Sequence, residues 1–115
     1  MQTNAQAARA YQASAGFRSV REQEADVFRR ANGAIKAAKE GGALARVQAV
    51  ADNRRLWNMV ISLLADPENA LPAPLRASII SVGRVEQREM EQESPDFDFL
   101  IAINENMAAG LSSSP

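Results

Sequence analysis

The sequence predicts an all-α protein: a small antiparallel bundle of four main helices with a short N-terminal helical arm. Apolar residues recur three and four positions apart through long segments, and nowhere does the chain alternate as a half-buried strand would. Gly41-Gly42 and the prolines at 67, 72, 74 and 95 divide these segments at helix-sized intervals.

The arm covers residues 1–17. Its Asn4 to Ala13 stretch is rich in alanine and glutamine, with Tyr11 as its one large apolar group, so it favours helix but has little to bury. Ser19 followed by Glu22 fits a capping box, which starts the first main helix at Val20; Gly41-Gly42 end it after Glu40. Val27, Phe28, Ala31, Ile35 and Ala38 share one narrow face of that helix, as expected of a surface helix with one buried side.

The next helix runs from Ala43 to Ala65 and changes character midway. Early on only Leu44, Val47 and Val50 are apolar; later Leu56, Trp57, Val60, Ile61, Leu63 and Leu64 cover more than one stripe and require neighbours on several sides. Asp66 before Pro67 stops the helix, while Pro72 and Pro74 fit the first turn of the following one. So short a corner sets the two helices antiparallel, with Leu75, Ile79 and Val82 expected to share their core.

Beyond Val85 large apolar residues are lost, and the end of this helix is expected to project or fray, with Glu86, Glu89, Glu91 and Glu93 as a solvated face. Ser94 as cap, Pro95 in the first turn and Asp96 against the dipole open the last helix, which Gly110 is expected to end. Its apolar side holds Phe97, Leu100, Ile101, Met107, Ala108 and Leu111, with Asn104 among them. The core should come mostly from the last three helices, with residues 18–111 as the domain and residues 112–115 as a disordered tail.

A chain of 115 residues suits one domain with a modest core. Lacking cysteine and histidine, it has no disulfides, thiolate chemistry, His-centred metal sites or His general base, so neither an enzyme nor a cofactor is expected. The longest apolar run, residues 59–65, is too short to span a bilayer, and the N-terminus does not read as a secretion signal, so a cytoplasmic protein is expected. Residues 1–55 carry ten basic and five acidic side chains, residues 56–115 three and nine. In an antiparallel bundle such halves are expected to neutralise one another; the other reading is a basic face for RNA or an acidic face for a partner.

The runs NRRLW (53–57), ADPENALP (65–72) and LRASIISVG (75–83) stand between REQEADVFRRA (21–31) and LIAINENMAAGL (100–111). Together, over roughly residues 18–111, they resemble the flagellar biosynthesis regulator FlaF family. The resemblance implies a positive role in making the flagellar filament, with flagellin and the opposing regulator FlbT as partners. Flagellin's terminal segments are expected to be amphipathic helices before assembly, so a compact helical protein without catalytic groups would bind one in a groove. The leading expectation is therefore a flagellin-binding, chaperone-like regulator, with its groove beside the Ala43–Ala65 helix and the closing helix. The alternative is a post-transcriptional regulator acting on flagellin messenger RNA or through FlbT; a third is a homodimeric scaffold.

Candidate partner-binding residues are Trp57, Phe97, Leu100, Ile103, Asn104, Met107 and Leu111, on the surplus of apolar surface in the closing helix. Trp57, with Phe28 and Phe99, reads either as a pocket or, more simply, as a core filler. Arg29, Arg30, Arg54 and Arg55 could meet RNA phosphate or a partner's carboxylates; the simpler expectation for Arg54 and Arg55 is ion pairing with Asp52 or Asp66. Asn69 is expected to close the proline corner. Direct RNA binding is weakly supported, since the chain offers no glycine-rich phosphate loop, aromatic platform or helix-turn-helix pattern.

Overall fold

A computed structural model describes the backbone of residues 4–113 and the side chains of residues 22–111. Four helices are present, α1 (Asn4–Lys39), α2 (Ala43–Ala65), α3 (Ala73–Met90) and α4 (Phe97–Ser113), and no strand occurs among the described residues. The all-α four-helix architecture is as the periodicity requires. α1 is one helix from Asn4 and does not begin at Val20: between those positions stands no proline, and Gly16 alone costs only about 1 kcal/mol. The side chains of Ser19, the cap of the Ser19–Glu22 box, and of the Tyr11 arm, and the tail beyond Ser113, lie outside the described residues.

Successive helices run antiparallel. α1 packs chiefly on α4 and α2, α3 packs on α2, and α3 and α4 barely touch. Two apolar clusters stack along the bundle. One holds Ile35 and Ala38 of α1, Ala49 of α2, Met90 of α3, and Leu100 and Ile101 of α4. The other holds Ala25 and Phe28, Leu56 and Trp57, and Ala108. Among the described residues most of the buried apolar side chains come from the last three helices, as expected, with α2 supplying five and α1 a further four, Ala25, Phe28, Ile35 and Ala38. α3 supplies least: Leu75 and Val82 are 46% and 38% exposed, because α3 leans on α2 without closing onto α4.

Trp57 is fully buried at the centre, its ring meeting Phe28 edge-on at 5.6 Å between centroids. Gly83 lets α3 approach this ring. A Cβ there would stand 2.9 Å from Trp57 Cε3 and 2.9 Å from Ile61 Cδ1, closer than side chains pack. Phe99, grouped with Trp57 on sequence, lies on the outside at 38% exposure.

The corners are held by side chains that reach backbone carbonyls. Arg76 donates to the carbonyls of Leu64, Asp66 and Leu71, so one guanidinium staples the α2–α3 corner. Asn69 acts as expected, donating to Leu63 O and accepting from Leu71 N–H. Arg46 donates to Ala38 O and Lys39 O, satisfying carbonyls at the C-terminus of α1.

Two terminus expectations are corrected. Asp96, not Ser94, caps α4, its Oδ1 accepting from Phe99 N–H; a carboxylate favours this place because it also meets the positive end of the dipole. Gly110 does not end α4, which continues to Ser113 with no glycine at positive φ among the described residues.

The glycine contacts give a paired prediction. Gly83→Ala should lower stability by about 1–3 kcal/mol, since overpacking against a rigid indole outweighs the better helix propensity. Gly33→Ala, where a Cβ meets nothing within 4 Å, should raise it by up to about 1 kcal/mol. Urea denaturation midpoints check both.

Candidate functional site

Between the two apolar clusters lies a polar layer with one residue from each helix: Asn32 of α1, Asn53 of α2, Glu86 of α3 and Asn104 of α4. All four are buried. Three of them, with Trp57, form a directed chain of hydrogen bonds. Trp57 Nε1 donates to Asn104 Oδ1 (2.9 Å), Asn104 Nδ2 to Asn53 Oδ1 (2.8 Å), and Asn53 Nδ2 to Glu86 Oε2 (3.2 Å) and Met90 Sδ (3.3 Å). Asn32 donates separately to Ile101 O at 3.0 Å, tying α1 to α4.

Glu86 therefore does not belong to a solvated acidic face, and the end of α3 neither projects nor frays. Glu86 and Met90 face inward because they continue the stripe of Leu75, Ile79 and Val82 at helical spacing. Glu91 and Glu93 are exposed, and Glu89 accepts from Asp96 N–H, linking α3 to the start of α4. Burial pushes the Glu86 carboxyl up to about 7, against the Asn53 amide and the Trp57 indole, which pull it down. Its Oε1 has no hydrogen-bond partner.

The layer sits at the inner end of an open seam. In a closed four-helix bundle α3 would seal against α4, but these two meet little. Leu75, Ile79 and Val82 run along the edge of α3 that also carries Glu86 and Glu89, the residues linking it to the layer and to the start of α4. On α4, Asp98 and Glu105 turn to Lys39 and Lys36 of α1, so Ile103 and Met107 lie on the opposite flank, towards α3. Ile79, Ile103, Met107 and Leu111 are half-buried against the Trp57 cluster. Partly exposed apolar side chains therefore stand on both helices along this edge, beside the polar layer.

The candidate residues thus divide. Trp57, Leu100 and Asn104 are fully enclosed and offer no surface. Ile103, Met107 and Leu111 come together at the seam, whereas half-buried Phe97 lines a second groove at the opposite end, of about 620 Å³, with Val47, Val50 and Met90. Two of the cations around that groove serve the fold: Arg46 lies 5.9 Å over the Phe97 ring and holds the end of α1, and Arg54 donates to Met90 O. Arg55 pairs with Asp52, as expected. Arg29 pairs with Asp26 at 2.8 Å and Arg30 is exposed on α1, far from the seam in sequence and on another helix.

Sequence reasoning missed Glu86, Asn32 and Arg76. For Glu86 a signal existed, its place in the Leu75, Ile79, Val82 stripe; neither of the others carries a comparable mark. Among the described residues no group of three acids could hold a metal ion. No described helix is long and apolar enough to cross a membrane.

The family model described as flagellar protein FlaF matches residues 7–111 of the chain, reaching well into the N-terminal stretch. Neither the comparison with curated proteins nor that with solved structures gave a match.

The Glu86 carboxyl predicts an unusual pH dependence. The folded chain keeps its proton up to about pH 7, whereas an ordinary carboxyl loses it near 4.5. Across that window the folded state binds more protons, so stability falls as pH rises through it and stays low above. The shift corresponds to about 3 kcal/mol. Chemical denaturation at a series of pH values should show this decline in the wild type, and Glu86→Gln should flatten it and be the more stable protein above pH 7.

Proposed function

Because the chain belongs to the flagellar protein FlaF family, whose role is in flagellum biogenesis, we propose that it binds unassembled flagellin as a chaperone-like regulator, seating an amphipathic flagellin helix in the α3–α4 seam. The observation that carries this reading is the unsealed edge of the bundle, where Leu75, Val82, Ile103 and Met107 leave apolar surface on two facing helices. A third amphipathic helix laid between them would bury its apolar stripe as a missing bundle member would. Methionine at position 107 suits such a surface, since its thioether adapts to varied contacts. Shielding flagellin's apolar faces before assembly would promote its synthesis and export.

Recognition of messenger RNA is the weaker reading. Lys36 and Lys39 of the basic helix already pair with Glu105 and Asp98 of α4, and Arg29 with Asp26 on its own helix, so part of the basic charge is answered within the fold. No aromatic platform accompanies Arg29 and Arg30 on that face among the described residues.

Co-purification with flagellin tests the proposal. The wild type should retain flagellin through salt washes, as apolar docking tolerates salt and phosphate contacts do not. Val82→Asp and Leu75→Asp, at exposed positions, should abolish retention while leaving helicity by circular dichroism unchanged. Reversing Arg29 and Arg30 to Glu should leave it within about a few-fold. Retention by the seam variants, or its loss in the arginine variant with folding intact, places the partner elsewhere.

A further inference from the structure

The α3–α4 seam has a titratable group at its inner end, and the geometry around that group gives it a consequence. Glu86 is fully buried, but only one carboxylate oxygen is engaged, by the Asn53 amide at 3.2 Å, and Oε1 meets no partner. An ionised carboxylate wants several donors or a cation. The elements packed around it offer neither. α2 presents Asn53 and Trp57, with Arg54 on the next position turned away to Met90 O. α4 presents Asn104, whose amide is spent on Asn53, while its acids Asp98 and Glu105 face α1. α1 contributes Asn32 at this level, committed to Ile101 O, and its Lys36 and Lys39 pair with α4. On α3 itself Glu89 is engaged with Asp96 N–H, and only burial, Asn53 and Trp57 act on the Glu86 carboxyl.

α3 is also the helix freest to respond. Its packing is almost all on α2, where Gly83 lies against Trp57 and Ile61, and its contact with α4 is slight. A charge that must reach water at this place can do so by tilting α3 about its α2 contact, away from α4.

We propose that Glu86 is a proton-controlled latch on the seam: uncharged, it holds α3 over the polar layer with the seam narrow; ionised, it draws α3 outward and opens the seam to a partner helix. As a control on flagellin binding this rests on the docking reading above, but the latch itself is a property of the protein alone. The carboxyl's raised value, about 7, puts the change within the range of intracellular pH fluctuation. Opening is favoured as pH rises, because the open state exposes the carboxylate and the closed state keeps the proton.

Hydrogen exchange on the full-length protein without partner reads the latch directly. After correction for base catalysis, protection of the α3 amides should fall about tenfold between about pH 6 and about pH 8, while α2 amides around Trp57 hold. Glu86→Gln should remove the pH dependence and keep α3 protected. Unchanged α3 protection in the wild type overturns the latch, as does the same fall in Glu86→Gln or a parallel fall in α2. If Glu86→Gln does not fold, carbon-13 NMR of the wild-type Glu86 carboxyl decides: a midpoint near 7 supports the latch, one near 4 overturns it. Binding of a synthetic flagellin terminal helix at the two pH values separates the two readings. Opening with tighter binding at the higher pH supports both. Opening with no binding at either pH supports the latch and overturns the docking reading; binding that is equally tight at both overturns the control.

Discussion

Everything in this bundle is arranged around one buried polar layer. Each helix contributes one polar residue at the same level, Asn32, Asn53, Glu86 and Asn104, with an apolar cluster on either side. Sliding α2, α3 or α4 by a turn would leave amides and a carboxyl facing aliphatic groups, at a cost of about 1–3 kcal/mol for each unsatisfied group. The layer therefore sets register, as single buried polar residues do in coiled coils. It also explains why a tryptophan stands beside it. The Trp57 ring fills the neighbouring cluster while its N–H begins the hydrogen-bond chain, so apolar packing and polar order meet in one side chain.

That arrangement leaves two oxygens without a hydrogen-bond partner, Asn32 Oδ1 on α1 and Glu86 Oε1 on α3, and of the two only Glu86 can carry a charge. α1 is joined to α4 by the Asn32 amide and two ion pairs, and α2 packs on both α1 and α3, although Met59 and Leu63 stay exposed, so its late half is not enclosed on every side as its apolar pattern suggested. α3 is attached by a glycine against an indole, by one oxygen of a carboxyl, and by the Arg76 staple at its base. The weakest-held helix borders the apolar seam, and its anchor is a carboxyl with an orphaned oxygen. In a family of flagellar proteins, the proposed capture of a helical segment would draw on α3, the helix least packed against the rest of the bundle. Local opening draws on the least stable elements of a structure.

Much of this was legible in the sequence, and the reasons are physical. Helix existence followed from apolar spacing, and the α2 bounds and the proline corner followed from residues whose backbone restrictions are local. The neutralising of basic and acidic halves was legible as well, and appears as Lys36–Glu105 and Lys39–Asp98. What failed depended on tertiary partners. Glu86 in a run of charged residues looks solvated unless one knows that α2 and α4 face it, and Leu75 and Val82 look like core unless one knows that α4 stands off. The sequence placed the candidate partner surface on α4 and Trp57 of α2; Trp57, Leu100 and Asn104 proved to be interior, and the other wall of the seam came from α3. Gly110 misled because a glycine near a helix end resembles a stop, whereas nothing crowds that position and the helix continues.

The most direct measurement of the central claim is methyl NMR of the isotope-labelled protein titrated with an unassembled flagellin helix. The account predicts shifts concentrated at Ile79, Val82, Ile103 and Met107, the apolar groups on the two walls of the seam, with Val47 and Val50 silent. Shifts confined to the Val47–Phe97 groove or to the outer face of α1 would contradict it.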